Sequence, residues 1–128
     1  MYERKCIMEI ILAMGAILGA FTVAIGAFGA HALKGKFAEE RYEQTFETGV
    51  RYQMYHSIAI LTVGLAMPIV GELPILEIAV YLMIAGIVLF SGSLYVLSVT
   101  GIRKLGAITP IGGLCFIAGW ICLAIGVL

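Results

Sequence analysis

The side chains of this chain that could carry chemistry lie near the ends of long apolar runs. They are His31, Arg51, Tyr52, Gln53, His56, Ser91, Ser93, Tyr95 and Thr109. Tyr52 and His56 are four residues apart and therefore share one face of a helix. Ser91 and Tyr95 have the same spacing on a later segment. Amide, hydroxyl and imidazole groups so placed favour a hydrogen-bonded cluster, which would either bind a polar ligand or join helices to one another.

The two histidines favour a more specific hypothesis. Imidazoles on neighbouring helices are able to ligate haem iron or a transition metal, and a proton relay through His56, Gln53 and Tyr95 is an alternative. However, no cysteine or aspartate joins His31 and His56 at a spacing typical of a metal site. We therefore predict no metal and no cofactor, and we interpret the histidines as hydrogen-bonded anchors.

A catalytic constellation is not recognisable in the sequence. There is no Ser/His/Asp arrangement, no phosphate-binding loop and no pair of intramembrane carboxylates. The glycine-containing segment 26–29 ends an apolar run instead of following a strand. We predict that the protein is not an enzyme.

The elements that must position these residues are four apolar runs without charge, over residues 10–33, 52–71, 78–102 and 105–128. Each is as long as the ~20 residues that cross a bilayer as a helix. The chain is 62% hydrophobic and only 12% charged, and its contiguous apolar residues exclude a β-barrel. We predict one all-α domain over residues 1–128, an integral membrane four-helix bundle. Its spans cover about 10–32, 52–70, 75–99 and 107–128.

Between the first two spans lies a charged segment. Ala38, Tyr42 and Phe46 recur every four residues, and Glu39, Glu43, Glu47 and Arg51 follow the same period on a neighbouring stripe. This pattern predicts a short amphipathic helix over residues 37–50 that lies in the membrane interface.

The charge distribution predicts the orientation. Net charge is zero and there is no basic tract, so we predict no nucleic-acid partner.

Loops 34–51 and 100–106 hold six Lys and Arg residues against two, Arg4 and Lys5, on the opposite side. The positive-inside rule therefore predicts both loops in the cytoplasm of a bacterial cell and both termini outside the plasma membrane. We interpret the first run as a retained helix instead of a signal peptide, with Met8 as an alternative start.

Four motifs occur in order along the chain, and they resemble one known family. They are GAFGAH at residues 26–31, TGVRYQMYH at 48–56, FSGSLY at 90–95 and ITPIGG at 108–113. Together they are similar to the family called domain of unknown function 423, small bacterial inner-membrane proteins related to transmembrane protein 256. The resemblance implies a four-helix integral protein of the plasma membrane. It implies no reaction, ligand or catalytic residue.

The convergence of polar residues at one end of all four spans leads to a functional expectation. We expect this cluster to bind a small ligand, a lipid headgroup or a partner protein, and we expect membrane lipids as partners. A homo-oligomer or a membrane-protein partner is left open. Two alternatives are an oligomeric transporter or channel for a small solute and a haem or quinone redox protein.

Overall fold

The computed structural model describes residues 2–128, with side chains from Ile7 onward. Met1 and the side chains of Arg4 and Lys5, which enter the predicted charge count, lie outside this part. The described part of the chain consists of helices joined by short turns and contains no strand. Its helices are α1 (Tyr2–His31), α2 (Tyr42–Val70), α3 (Pro74–Gly86), α4 (Gly92–Thr100) and α5 (Thr109–Val127). A π-helical turn, Ile87–Ser91, joins α3 to α4, and a 3-10 turn, Arg103–Ala107, precedes α5.

Four stretches are long and apolar enough to cross a bilayer. They are Ile7–His31, Tyr42–Val70, Pro74–Thr100 and Arg103–Val127. In lipid the backbone must satisfy its own hydrogen bonds, and for contiguous apolar runs the helix does this within each segment. The predicted all-α fold with four membrane-spanning helices is confirmed. We refer to the four stretches as the first to fourth spans.

The charged segment before the second span differs from the prediction. A separate interfacial helix over residues 37–50 is not formed, because residues 37–41 are bends and turns and α2 begins at Tyr42. From there α2 runs without a break into the second span. The reason is packing: Tyr42 and Phe46 are buried within the bundle, and the Phe46 ring packs over Gly29 of α1.

The helices associate in two close pairs, α1 with α2 and the third span with α5. Glycines form the notches that allow this approach, since helices in lipid associate by close packing. In the first pair, Gly15 faces Leu61 of α2. In the second, Gly86 faces the Phe116 ring, and Gly112 lies against the backbone of Phe90.

The interior divides into an apolar half and a polar half. The apolar half contains large buried side chains from the second, third and fourth spans, among them Ile60, Val63, Met67, Leu76, Val80, Met83 and Leu123. Buried polar side chains occupy the other half, near the two basic loops. They are Thr22, Gln53, His56, Ser57, Ser91, Ser93 and Ser98. The bundle thus concentrates its polar interior at one end.

Substitution at the contact between the third and fourth spans tests this packing. A methyl group at Gly112 would overlap the backbone of Phe90, which cannot move aside as a side chain could, whereas at Gly113 it would lie 3.9 Å from its nearest neighbour. We expect Gly112→Ala to destabilise the protein by about 1–3 kcal/mol, measured as unfolding in detergent micelles. The adjacent Gly113→Ala is the control and should not destabilise. Equal stability of the two variants would contradict the close packing.

Candidate functional site

The Gln53 side chain joins three spans at the polar end of the bundle. Its Oε1 accepts a hydrogen bond of 2.6 Å from the hydroxyl of Tyr95 on α4. Its Nε2 points toward the carbonyl oxygen of Leu18 on α1, at 3.5 Å. Gln53 is only 4% exposed, and a buried amide without partners would be costly. These contacts therefore fix the relative positions of the first three spans.

Two serines connect the third span to its neighbours. Ser91, in the π-helical turn, donates to the carbonyl oxygen of Gly49 at 2.6 Å. The hydroxyl of Ser93 lies 2.6 Å from that of Thr109, at the start of α5. π-helical turns interrupt the regular ladder and often occur at functional positions. Here the turn lies where the third span contacts both the second and the fourth.

Both ring nitrogens of His56 take part in hydrogen bonds. The indole N–H of Trp120 donates to Nε2 of His56 at 3.1 Å. Its Nδ1 lies 2.6 Å from the carbonyl oxygen of Tyr52. An indole only donates and a carbonyl only accepts, so the proton of this imidazole is on Nδ1 and the ring is neutral. Neither nitrogen is left free for haem iron or another metal.

An aromatic groove surrounds this histidine. The imidazole stacks on the Phe116 ring with centroids 3.5 Å apart, and Tyr52 packs against Phe90 with centroids 4.6 Å apart. The groove has a volume of about 550 Å³, and its walls also include Tyr55 and Trp120. Its lining is predominantly apolar, so the buried histidine is enclosed mainly by rings.

A second cavity, here called the α1–α2 cleft, combines charge with apolar walls. It has a volume of about 340 Å³ and lies between the last turns of α1, the following loop and the first turns of α2. Its residues are Gly26, Gly29, Ala30, Lys34, Phe37, Glu43, Phe46, Glu47, Val50 and Arg51. Arg51 and Glu47 form an ion pair at 3.8 Å, with both side chains more than half exposed.

The structure places the predicted site residues in different surroundings. Most of them hydrogen-bond between or within helices of the bundle: Gln53, His56, Ser91, Ser93, Tyr95 and Thr109. Tyr52 lines the aromatic groove and Arg51 lines the α1–α2 cleft. His31 is exposed at the end of α1 and lines neither cavity. Ligand binding by these nine residues stays a prediction.

Several cavity residues were missed in the sequence. Trp120 and Phe116 are four residues apart on the fourth span, a spacing that already indicated a shared aromatic face. The spacing of Glu43 and Glu47 predicts only an interfacial helix, and Lys34 enters only the count of basic residues in loop 34–51. Among the side chains that the structure describes, from Ile7 onward, no group of three or more His, Cys, Asp or Glu is placed to hold a metal ion.

Comparison with known proteins places this chain among small membrane proteins. The profile of a family described as "Protein of unknown function (DUF423)" matches residues 25–113. UPF0382 membrane protein YwdK of Bacillus subtilis is 47% identical over 118 residues, covering 92% of this chain and 95% of the relative. A UPF0382 membrane protein of Staphylococcus haemolyticus is 47% identical over 119 residues, covering 92% and 94%. No solved structure matches the chain.

The hydrogen bond between Gln53 and Tyr95 is testable by a double-mutant cycle. We expect Tyr95→Phe to lower the free energy of unfolding by about 0.6 kcal/mol, and at most about 1.7 kcal/mol, the range for such bonds between membrane helices. In a Gln53→Leu background the same change should have little further effect. Tyr81→Phe is the matched control, because Tyr81 is 68% exposed. Additive effects of the two substitutions would count against the bond.

Proposed function

The chain belongs to the DUF423 family of membrane proteins of unknown function, and we propose that it binds the phosphate-bearing headgroup of a membrane phospholipid in the α1–α2 cleft. The observation that carries this proposal is the composition of the cleft. Lys34 and Arg51 lie in the same cavity as the apolar side chains of Phe37, Phe46 and Val50. A ligand that contacts both the cationic and the apolar side chains must be amphiphilic, as a phospholipid is.

The depth of the cleft supports a lipid as the ligand. Its residues include the last turns of the first span and the first turns of the second, which is the level of the headgroups in a spanning helix. Tyr52 follows Arg51 directly and Tyr55 comes three residues later, and they are 38% and 53% exposed. Tyrosines are enriched at this membrane level, where their rings are apolar and their hydroxyls remain wet.

The chemistry of the cations supports phosphate recognition. The guanidinium of Arg51 presents N–H donors in a planar fork that matches phosphate oxygens, and Lys34 adds a point charge from the loop. Among the side chains that the structure describes, Arg51 forms an ion pair with Glu47 alone, and this pair is exposed. Pairs of this kind contribute little stability, so the guanidinium is able to exchange Glu47 for a ligand.

We further propose that this end of the bundle faces the cytoplasm across a bacterial plasma membrane. The two basic loops lie together, because the backbone N–H of Ala38 donates to the carbonyl oxygen of Ser98 at 3.0 Å and because Arg41 and Arg103 line one cavity. Basic residues concentrated at one end favour retention of that end inside.

Removal of the two cations tests the binding site. We expect the Lys34→Ala/Arg51→Ala double variant to bind phospholipid about 10- to 30-fold more weakly, since each basic contact near a headgroup contributes roughly 1 kcal/mol. Native mass spectrometry of delipidated protein, titrated with phospholipid in detergent, measures the change. Lys36→Ala/Lys104→Ala removes the same charge outside the cleft and should bind as the wild type does. A loss of equal size in both double variants would refute a specific cleft.

The orientation is tested by labelling single cysteines in a variant whose native cysteines are replaced by serine. We expect Lys36→Cys to react with a membrane-impermeant maleimide in inside-out vesicles and not in intact spheroplasts. Leu73→Cys, in the short link between the second and third spans, should show the opposite pattern. The reverse result for both positions would invert the proposed topology.

A further inference from the structure

From the charges of the α1–α2 cleft we propose that the bound lipid is zwitterionic and carries a primary ammonium group, as phosphatidylethanolamine does. This inference rests on the proposed function and specifies its ligand. The cleft contains two cations, Lys34 and Arg51, and two carboxylates, Glu43 and Glu47. Its charged groups therefore sum to zero, which complements a neutral headgroup with separated charges better than an anionic one.

The carboxylates would oppose an anionic lipid. Glu43, Glu47 and Arg51 follow one another at four-residue intervals on α2, so all three side chains lie on the same face. A phosphate that pairs with Arg51 is then within one or two helical turns of two negative charges. A lipid with no positive group would leave both carboxylates unpaired beside its own charge. An ammonium group on the same ligand converts this repulsion into attraction.

The order of the charges along α2 matches the order of the groups in the lipid. The helix rises about 6 Å over four residues, so Glu47 lies about 6 Å and Glu43 about 12 Å from Arg51 along the axis. Arg51 is the member of the stripe nearest to the apolar part of the span, and Glu43 is the member nearest to the basic loop. In a phospholipid the phosphate is likewise nearer to the acyl chains and the amine is farther out.

The chemistry of the amine distinguishes ethanolamine from choline. A primary ammonium has three N–H donors, so it is able to bond with the oxygens of both Glu43 and Glu47. A quaternary ammonium has no N–H donor and is typically bound by aromatic faces. The cleft also contains the rings of Phe37 and Phe46, but Phe46 is only 5% exposed and packs on Gly29 and Phe37. The exposed groups that attract a cation are the two carboxylates. The primary amine is therefore the better match.

A competition among headgroups tests the proposal. Delipidated wild-type protein in detergent is incubated with equal concentrations of phosphatidylethanolamine, phosphatidylcholine and phosphatidylglycerol of identical acyl chains, and the bound species are counted by native mass spectrometry. We expect phosphatidylethanolamine to be bound about tenfold more than either of the others. Glycerophosphoethanolamine, which lacks acyl chains, is added at the same concentration in a separate sample and should not bind.

The Glu43→Gln/Glu47→Gln double variant provides the residue-level test. Its preference for phosphatidylethanolamine over phosphatidylglycerol should disappear, while phosphatidylglycerol binding should be unchanged or stronger. Glu40→Gln is the control, because Glu40 is exposed in the turn before α2 and does not line the cleft. It should retain the wild-type preference. Melting temperatures of all variants in the same detergent verify that each is folded.

The outcomes separate this inference from the proposed function. Equal binding of phosphatidylethanolamine and phosphatidylglycerol by the wild type would overturn the ammonium assignment and leave phospholipid binding intact. If the wild type bound phosphatidylcholine as well as phosphatidylethanolamine, the preference for a primary amine would be overturned. Failure to bind any of the three lipids would overturn both proposals. If glycerophosphoethanolamine bound as well as phosphatidylethanolamine, acyl chains would not be needed. The ligand would then be a soluble phosphoethanolamine compound instead of a lipid.

Discussion

One face of α2 holds the bundle together through directional hydrogen bonds. Gly49 accepts a bond from Ser91, Gln53 contacts groups on α1 and α4, and His56 accepts from Trp120 on α5. In lipid, apolar side chains gain nothing by exchanging hydrocarbon for one another, so the hydrophobic effect does not select how the helices are rotated and shifted. Hydrogen bonds and close packing at glycines have to do so. Since α2 contacts every other span by polar groups, its rotation sets the arrangement of the rest.

This constraint also decides which polar groups remain for other chemistry. The side chains that hold the spans have their hydrogen-bonding capacity engaged inside the bundle, as the neutral imidazole of His56 demonstrates with both nitrogens bonded. The charged groups of the α1–α2 cleft are different, because the ion pair between Glu47 and Arg51 is long and exposed. Polar residues of the interior thus serve packing, and residues at the edge of the bundle retain accessible charge. For this reason we propose a binding site in the cleft instead of in the buried cluster.

The sequence predicted the architecture well, because the length of an apolar run decides whether a helix spans a bilayer. It also predicted that polar groups converge at one end, since the depth of each residue in the bilayer follows from its position along the span. It did not reveal which groups bond, because that depends on the rotation of each helix. Trp120 illustrates the limit: its pairing with His56, 64 residues away, depends on the packing of α2 against α5. The π-helical turn at Ile87–Ser91 was likewise not predicted, since its residues also suit a regular helix.

The start of α2, which differs from its prediction, bears most directly on the proposed function. The stripe of Glu43, Glu47 and Arg51 was recognised from its spacing, but it was assigned to a helix lying flat in the interface, which would place all three charges at one depth. Burial of Tyr42 and Phe46 instead extends α2 as a continuous helix through this segment. The same stripe then follows the axis of a span. Its successive charges, four residues apart, are separated in depth by about 6 Å. A flat helix would offer one layer of mixed charge, whereas the continuous helix places Arg51 and Glu43 at different depths, as the phosphate and the amine of the proposed headgroup are.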